Sequence, residues 1–246
     1  YDILSGLVGS EMCIRDRPYV GPGVLASSVG MDKEFTKKVL AAADLPVAPE
    51  VILKGRTELS EDEKQRLGLP VFVKPARGGS SIGVSKVSTW EEFPAAVDLA
   101  LEDDEKVLVE PEIVGQEVEI GVLHYADGTL LASVPALLAG IDDSDEGFYG
   151  FDTKYLDNVV TAEIPAPFAP ELTEKLRDMA IRAFEALNCE GLSRVDFFVT
   201  KDSVCINEIN TLPGFTPISM YPQVLAASGV EYPALLEALI EQALAK

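Results

Sequence analysis

Two apolar segments near the end of the chain carry polar side chains that could bind a cation. The segments RVDFFV (194–199) and VCINEIN (204–210) flank the turn sequence TKDS, which predicts a β-hairpin. Because side chains alternate between the faces of a strand, Glu208 and Asn210 point the same way, and pairing across the turn places Asp196 opposite Glu208 or its neighbour. Two carboxylates and an amide oxygen then converge, and oxygen ligands of this kind suit Mg²⁺ or Mn²⁺.

A solvent-exposed hairpin face is the alternative in so acidic a chain. Burial is favoured because the neighbours of the acids are apolar on both faces of the hairpin: Val195, Phe197, Phe198, Cys205, Ile206 and Ile209. Buried carboxylates need a cation to compensate their charge. Arg194 lies two residues before Asp196 and therefore on the same face, where it could neutralise an acid or stabilise an anion beside a metal.

A lysine and a glycine-rich loop form a second candidate site. Lys74 stands near the end of the apolar segment VFVKPA, and the sequence RGGSSIG (77–83, the glycine-rich loop) follows it. Glycines let the backbone approach an anion closely, and Ser80 and Ser81 add hydroxyl groups. No G-K-[ST] follows the glycines, so this is not a P-loop, and an ordinary Gly/Ser hairpin turn is the alternative. A lysine between apolar neighbours needs an anionic partner, and a phosphate would serve.

A phosphate loop, a lysine and an oxygen-ligand metal site together indicate a Mg²⁺-nucleotide. The segment VLVEPEIVGQEVEI contains Glu110 and, seven residues later, Glu117, which could contact a base and a ribose. Solvent-facing acids at strand ends are the alternative for this pair.

Composition excludes several other classes of function. The 246 residues include 20 Lys and Arg against 41 Asp and Glu, for a net charge of −21, which argues against nucleic acid or an anionic membrane as partner. The only histidine is His124, so a two-histidine metal site is excluded. Three cysteines without short-range pairing exclude a disulfide framework and favour a reducing cytoplasm. No apolar run approaches the ~18 residues of a membrane span.

The elements that must position these groups follow from hydrophobic periodicity and turn residues. Helices are predicted over 31–43, 58–67, 90–100, 171–187 and 232–245. Strands are predicted over 45–53, 70–76, 83–87, 106–113, 117–124 and 129–137, besides the hairpin. A linker is predicted over 18–30 and loops over 142–155 and 211–219. This pattern is typical of an α+β fold with antiparallel sheets.

The first residues differ in character from the rest. Residues 6–17 resemble the translated read-through of a sequencing adapter, so 1–17 are expected to be non-native. A genuine irregular lead-in strand is the alternative.

Six segments together resemble successive motifs of the D-alanine–D-alanine ligases, which belong to the ATP-grasp superfamily. They are MDKEFTKKVLAAADLPVAP, VFVKPARGGSSIGVSKV, VLVEPEIVGQEVEI, FDTKYL, GLSRVDFFV and INEINTLPGFTPISM, in the family's order from about Pro18 to Lys246. The resemblance implies an ATP-grasp fold whose two α+β subdomains, 31–109 and 110–246, clamp the nucleotide between antiparallel sheets. It also implies ATP-dependent ligation of two D-alanines through an acylphosphate, for peptidoglycan precursor synthesis in a bacterial cytoplasm.

The resemblance implies the following roles. Lys33 and Lys74, with Ser80, Ser81 and Lys154, would bind the nucleotide phosphates; Glu110, Glu112 and Ile113 would line the adenine site, and Glu117 would bind the ribose. Asp196, Glu208 and Asn210 would hold two Mg²⁺ or Mn²⁺ ions, and Arg194 would stabilise the tetrahedral intermediate. Ser80 would lie over the substrates, and Gly214, Ser219 and Met220 would receive the second D-alanine. The pair Lys154–Tyr155, in a mobile loop over about 142–158, goes with D-alanine as that substrate. For this pair an ordinary exposed loop is the alternative.

The family's N-terminal domain, which contacts the first D-alanine, is expected to be missing from this sequence. Three hypotheses remain: part of an ordinary ligase whose parent is a homodimer, a Mg-ATP-binding module with little turnover, or another ATP-grasp carboxylate–amine ligase.

Overall fold

A computed structural model describes residues 17–79, 82–139, 161–216 and 219–246. The described helices are α1 (Val24–Met31), α2 (Lys33–Ala42), α3 (Glu61–Leu67), α4 (Phe93–Asp103), α5 (Pro170–Ala186), α6 (Met220–Ala227) and α7 (Tyr232–Leu244). The described strands are β1 (Val51–Lys54), β2 (Val71–Pro75), β3 (Ser85–Val87), β4 (Lys106–Pro111), β5 (Gln116–His124), β6 (Leu130–Ala132), β7 (Ala136–Ala139), β8 (Thr161–Glu163), β9 (Leu192–Val199) and β10 (Val204–Asn210).

The smaller sheet has four antiparallel strands in the order β1-β4-β2-β3. Alternate residues of β1 and β2 are buried, whereas β4 is buried from Lys106 to Glu110. Helix α4 covers one face of the sheet with apolar side chains: Phe93, Ala96, Val97 and Ala100. The sheet ends at Pro111, and the next strand, β5, begins only at Gln116 in the other sheet.

The larger sheet has the antiparallel order β10-β9-β5-β7-β8, with β6 also paired to β5. One face packs on the amphipathic helix α5, which presents Leu176, Met179, Ala180, Ala183 and Phe184 at helical spacing. Helix α2 joins the same core through Leu40, and α2 is capped by Asp32, whose side chain accepts a hydrogen bond from the Phe35 N–H.

The opposite face of the larger sheet is divided in two. Around Leu123 and Leu192 it is apolar and is covered by α6 and α7. Helix α6 approaches closely because Gly121 has no side chain: a Cβ built there would lie 2.5 Å from Leu225 Cδ2 and 3.1 Å from the Tyr221 ring. The Tyr221 hydroxyl also donates to the Val122 carbonyl at 3.0 Å. The remainder of this face is polar and carries the candidate site.

The structure corrects several predicted elements. Residues 18–30 are not a linker throughout, because α1 occupies Val24–Met31; this helix buries only Ala26, so it has no amphipathic signal in the sequence. The strand predicted over 45–53 is confined to β1. The prolines at 46 and 49 have no backbone N–H and cannot donate a hydrogen bond to a neighbouring strand. The predicted strand 129–137 is two strands, β6 and β7, with Ser133 between them accepting from the Gly121 N–H through its hydroxyl at 2.9 Å.

Besides α1, two elements were not predicted at all, namely the short strand β8 and helix α6. The predicted loop 142–158 with Lys154 and Tyr155, and the loop serines Ser80 and Ser81, lie outside the described residues. The described helices include none with the length and apolar character needed to cross a membrane.

Candidate active site

Three carboxylates form a row across adjacent strands of the larger sheet. Glu119 on β5 is in register with Asp196 on β9, and Asp196 is in register with Glu208 on β10. A register shift between Ile206 and Glu208 brings Glu208 into this position. We call these three residues the acidic row. The prediction placed Asp196 opposite Glu208 or its neighbour, and the structure selects Glu208.

A second row lies two residues along the same strands and therefore on the same face. Arg194 stands between Gly121 on one side and Asn210 on the other. The predicted convergence of Asp196, Glu208, Asn210 and Arg194 on one patch of the sheet is therefore confirmed.

Arg194 forms ion pairs with two of the three carboxylates of the acidic row. Its Nε and Nη2 donate to the two oxygens of Asp196, each at 2.7 Å, and Nε lies 3.2 Å from Glu119 Oε2. Asn210 Nδ2 also donates to Asp196, at 3.0 Å. Burial opposes the charge of the guanidinium, but the carboxylate of Asp196 outweighs it and raises the pKa of Arg194. Of the two roles predicted for Arg194, neutralising an acid is the one observed here.

The donors of this patch fit a hard divalent cation in their chemistry. Carboxylates and an amide carbonyl supply oxygen only, which matches the ligand preference of Mg²⁺ and Mn²⁺. Within the described ranges, however, no three His, Cys, Asp or Glu side chains converge closely enough to form a metal cage. The side chains alone do not complete such a site, because Mg²⁺ ordinarily keeps water or phosphate oxygens among its ligands.

A second group of charges lies where the smaller sheet meets α2. Lys74 on β2 forms an ion pair with one oxygen of Glu110 on β4, and Lys37 on α2 forms an ion pair with the other oxygen. Lys37 Nζ also lies 3.3 Å from Glu50 Oε2 and donates to the Ala48 carbonyl at 3.2 Å. We call Lys37, Glu50, Lys74 and Glu110 the lysine cluster.

The lysine cluster is buried, and burial controls its protonation. Burial, followed by the neighbouring charges of Lys37 and Lys33, lowers the pKa of Lys74 to about 7. Glu208 acts in the opposite direction, so Lys74 lies within electrostatic reach of the acidic row. The contact with Glu110 also favours the charged ammonium. Burial likewise lowers the pKa of Lys37, against the opposing charge of Glu50.

Lys33 lies at the base of the glycine-rich loop. Its backbone N–H donates to the Ala76 carbonyl at 2.9 Å, and its ammonium donates to the Gly78 carbonyl at 2.7 Å. The loop is also held at Arg77, whose guanidinium donates to both oxygens of Asp104, at 3.1 and 2.7 Å. The structure therefore brings Lys33 and Lys74 to the two sides of the start of this loop.

The residues predicted to contact the nucleoside follow the connection between the two sheets. Glu110 is buried at the end of β4, and Glu112 forms an ion pair with Lys86 at 2.6 Å. Ile113 is half-buried in the connection, and Glu117 stands on β5 opposite Phe198.

The residues predicted for the second substrate lie close together at the start of α6. Ser219 Oγ accepts from the Thr216 N–H at 3.0 Å and lies 2.8 Å from the Thr216 hydroxyl. Gly214 packs against it so closely that a Cβ there would lie 2.8 Å from Ser219 Oγ. Met220 is the first residue of α6. The positions of Ser219 and Met220 therefore depend on the packing of that helix at Gly121.

Three charged residues of the site were missed by sequence reasoning: Lys37, Glu50 and Glu119. Glu119 had a signal, because it alternates with Glu117 on one face of a predicted strand. The sequence also contained a signal for Lys37. This residue precedes the buried Leu40 by three positions and therefore lies on the apolar face of its helix.

Comparisons with known proteins agree with this geometry. Residues 39–241 match the family described as "D-ala D-ala ligase C-terminus". A D-alanine–D-alanine ligase of Corynebacterium efficiens is 64% identical over 239 residues, which are 97% of this chain and 66% of that protein. The chain thus spans about two thirds of the length of this relative.

Solved structures give the same result. The D-alanine–D-alanine ligase of Coxiella burnetii matches with a TM-score of 0.82 and 38% identity, over 98% of this chain and 63% of that one. The Bacillus anthracis D-alanine–D-alanine ligase complexed with ATP matches with a TM-score of 0.79 and 27% identity, over 98% of this chain and 74% of that one. The chain belongs to the D-alanine–D-alanine ligase family and has the ATP-grasp fold of its C-terminal region.

Proposed function

We propose that this chain forms the nucleotide-binding and catalytic part of an enzyme that joins two D-alanines at the expense of ATP, through an acylphosphate. The observation that carries the proposal is the position of the acidic row within electrostatic reach of Lys74, beside a glycine-rich loop held by Lys33. Acids for a cation and lysines for phosphates are the two halves of a Mg²⁺-nucleotide site. The named relatives, and the relative that carries ATP, support the same reaction.

Asp196, Glu208 and Asn210 would hold two Mg²⁺ or Mn²⁺ ions. When bound, such ions would screen the negative charge of the phosphate oxygens. The chain's own cations act on the same charge: Lys74 and Lys33 would hold the phosphates, with Ser80, Ser81 and Lys154 as further candidates. Glu110, Glu112, Ile113 and Glu117 would surround the nucleoside.

Arg194 is suited to stabilise the transferring phosphoryl group and the tetrahedral intermediate. Both species gain negative charge, and the guanidinium keeps its positive charge at any relevant pH because its pKa is raised. Its position is fixed by Asp196 on the same strand and by Glu119 on the next. No nucleophilic side chain is needed, since ATP activates one substrate carboxylate and the amine of the second substrate attacks it.

Ser219, Gly214 and Met220 would receive the second D-alanine, with Lys154 and Tyr155 above it. The proposal further holds that the parent enzyme is a homodimer and that it acts in a bacterial cytoplasm, in the synthesis of peptidoglycan precursors.

The decisive experiment uses a chimera in which this chain replaces the matching segment of the Corynebacterium efficiens ligase. We expect D-alanine to stimulate phosphate release and mass spectrometry to detect the D-alanyl-D-alanine product. A chimera that folds, binds Mg-ATP and releases no phosphate with D-alanine would overturn the proposed reaction. Release with D-serine or D-lactate alone would instead identify a different carboxylate ligase. The 246-residue chain assayed by itself tests the binding-module hypothesis, which expects nucleotide binding with little turnover.

A further inference from the structure

We propose that Lys37 is a positioning residue that keeps Glu110 neutralised, so that the charge of Lys74 remains available to the nucleotide phosphates. The inference rests on the proposed function, since it concerns how the phosphate-binding lysine is maintained. It assigns a role to a residue that contacts neither substrate nor metal.

The contacts of Lys37 exclude a direct role in binding. Three acceptors surround its ammonium, namely the carboxylates of Glu50 and Glu110 and the carbonyl of Ala48. The ammonium donates a hydrogen bond to the Ala48 carbonyl and is paired with two carboxylates, so its charge already has anionic partners within the protein. The side chain is only 5% exposed, so little of it is accessible to a phosphate.

Glu110 links Lys37 to Lys74. One carboxylate oxygen contacts each lysine, and the Glu110 side chain is only 7% exposed. Lys74 is the more accessible of the two lysines, at 15%. The three side chains therefore form a line from the helix α2 to the edge of the predicted phosphate site.

The charges of this cluster balance only when Lys37 is present. Below the pKa of Lys74, Lys37 and Lys74 carry two positive charges, which match the two negative charges of Glu50 and Glu110. Without Lys37, the carboxylate of Glu110 would have only Lys74 as a cationic partner. Its negative charge would then cancel the positive potential that Lys74 exerts on a phosphate, and the low dielectric constant of the interior would make this cancellation strong. Neutralising Glu110 as well would restore that potential, which is a result that loss of packing alone would not produce.

The experiment measures the Kd of Mg-ATP for the full chain by titration calorimetry, together with the thermal midpoint of each variant. We expect K37M to raise the Kd by about tenfold or more, which corresponds to about 1.4 kcal/mol per factor of ten. We expect K37R, which keeps the charge, to stay close to wild type. Because Glu110 is itself a proposed nucleoside contact, the double variant K37M/E110Q is compared with E110Q, and K37M should raise the Kd much less in the E110Q background than in wild type.

Thr36→Val is the matched control for helix stability. It removes a buried hydrogen bond of α2, from Thr36 Oγ1 to the Val29 carbonyl at 2.7 Å, without touching the lysine cluster. T36V should lower the thermal midpoint and leave the Kd of Mg-ATP unchanged.

The inference is overturned if folded K37M binds Mg-ATP as tightly as wild type, or if K37M raises the Kd as much in the E110Q background as in wild type. If K37M does not fold, the same comparison is made in the E50Q background, where the second carboxylate beside residue 37 is also neutral. A wild-type chain that fails to bind Mg-ATP would overturn the proposed function itself. Wild-type binding without the expected pattern among the variants overturns only the role of Lys37.

Discussion

Glu208 lies directly opposite Asp196 across the β9–β10 hairpin, and a register shift just before Glu208 produces this pairing. The two carboxylates face the same side of the sheet as Arg194 and Asn210. Their pairing is the basis for the first two predictions.

Glu208→Gln in the chimera should reduce D-alanine-dependent phosphate release by about 100-fold or more, because it removes one charge that a divalent ion needs. Mn²⁺ titration followed by electron paramagnetic resonance should show weaker metal binding. Glu237→Gln on α7 is the control, since it makes the same charge change at an exposed position. An E208Q chimera with normal activity would refute the metal assignment.

Arg194→Met should destabilise the chain by about 3–5 kcal/mol, because it leaves buried Glu119 and Asp196 without their cation. Urea denaturation measures this change. Arg194→Lys keeps the positive charge but loses the bidentate contact with Asp196. Relative to R194M, it should therefore restore the free energy of unfolding more fully than it restores the turnover of the chimera. Equal stability of R194M and wild type would contradict the ion pairing described here.

Gly121→Ala should destabilise the protein by about 1–3 kcal/mol, because the new methyl group overlaps Leu225. Displacement of α6 should also raise the KM for the second D-alanine in the chimera more than the KM for ATP. Gly23→Ala is the control, since a Cβ there meets nothing within 4 Å. Leu225→Ala in the G121A background should relieve the overlap; a double variant no better than G121A would argue against this packing.

Nucleotide binding should take up protons above neutral pH. The pKa of Lys74 lies at about 7 in the free protein, and a phosphate beside it raises the pKa. The affinity should therefore be highest below this pKa and fall as the pH rises through it, with proton uptake on binding. The charged groups that face Lys74 are Lys33, Lys37, Glu50, Glu110 and Glu208.

Calorimetry at pH 8 in two buffers of different ionisation enthalpy measures this uptake. Lys74→Met should abolish it. Identical binding enthalpies in both buffers for the wild-type chain would contradict the prediction.

The thiol of Cys189 should be inert in the native protein. Burial, followed by the charge of Glu190, raises its pKa to about 12, so the reactive thiolate is scarce at ordinary pH. A C13S/C205S variant isolates this thiol for titration with a disulfide reagent. We expect modification at the rate of unfolding and immediately in denaturant; rapid modification of the folded chain would show that Cys189 is accessible.

Local patterns were sufficient to predict the hairpin of the site. The short turn places Asp196 opposite Asn207 or Glu208, and alternation keeps Arg194 with Asp196 and Glu208 with Asn210. The register shift between Ile206 and Glu208, which no local pattern reveals, selects Glu208. The amphipathic helix α5 was predictable for the same reason, since its pattern lies within one continuous segment.

Contacts between distant segments could not be derived in this way. The row from Glu119 to Asp196 depends on the register of strands about 75 residues apart, and Lys37 meets Glu110 only because α2 packs beside β4. Helix α6 was missed because it follows a Gly/Pro loop and is short.

Helix α2 connects the two sheets mechanically. At its start, Lys33 bonds to Ala76 and Gly78 beside the glycine-rich loop, whereas Leu40 near its end is fully buried in the core of the larger sheet. The ten-residue helix is about 15 Å long and does not bend easily. We therefore expect a shift in the core at Leu40 to be transmitted along the helix to the loop at Gly78, without any ligand between the sheets.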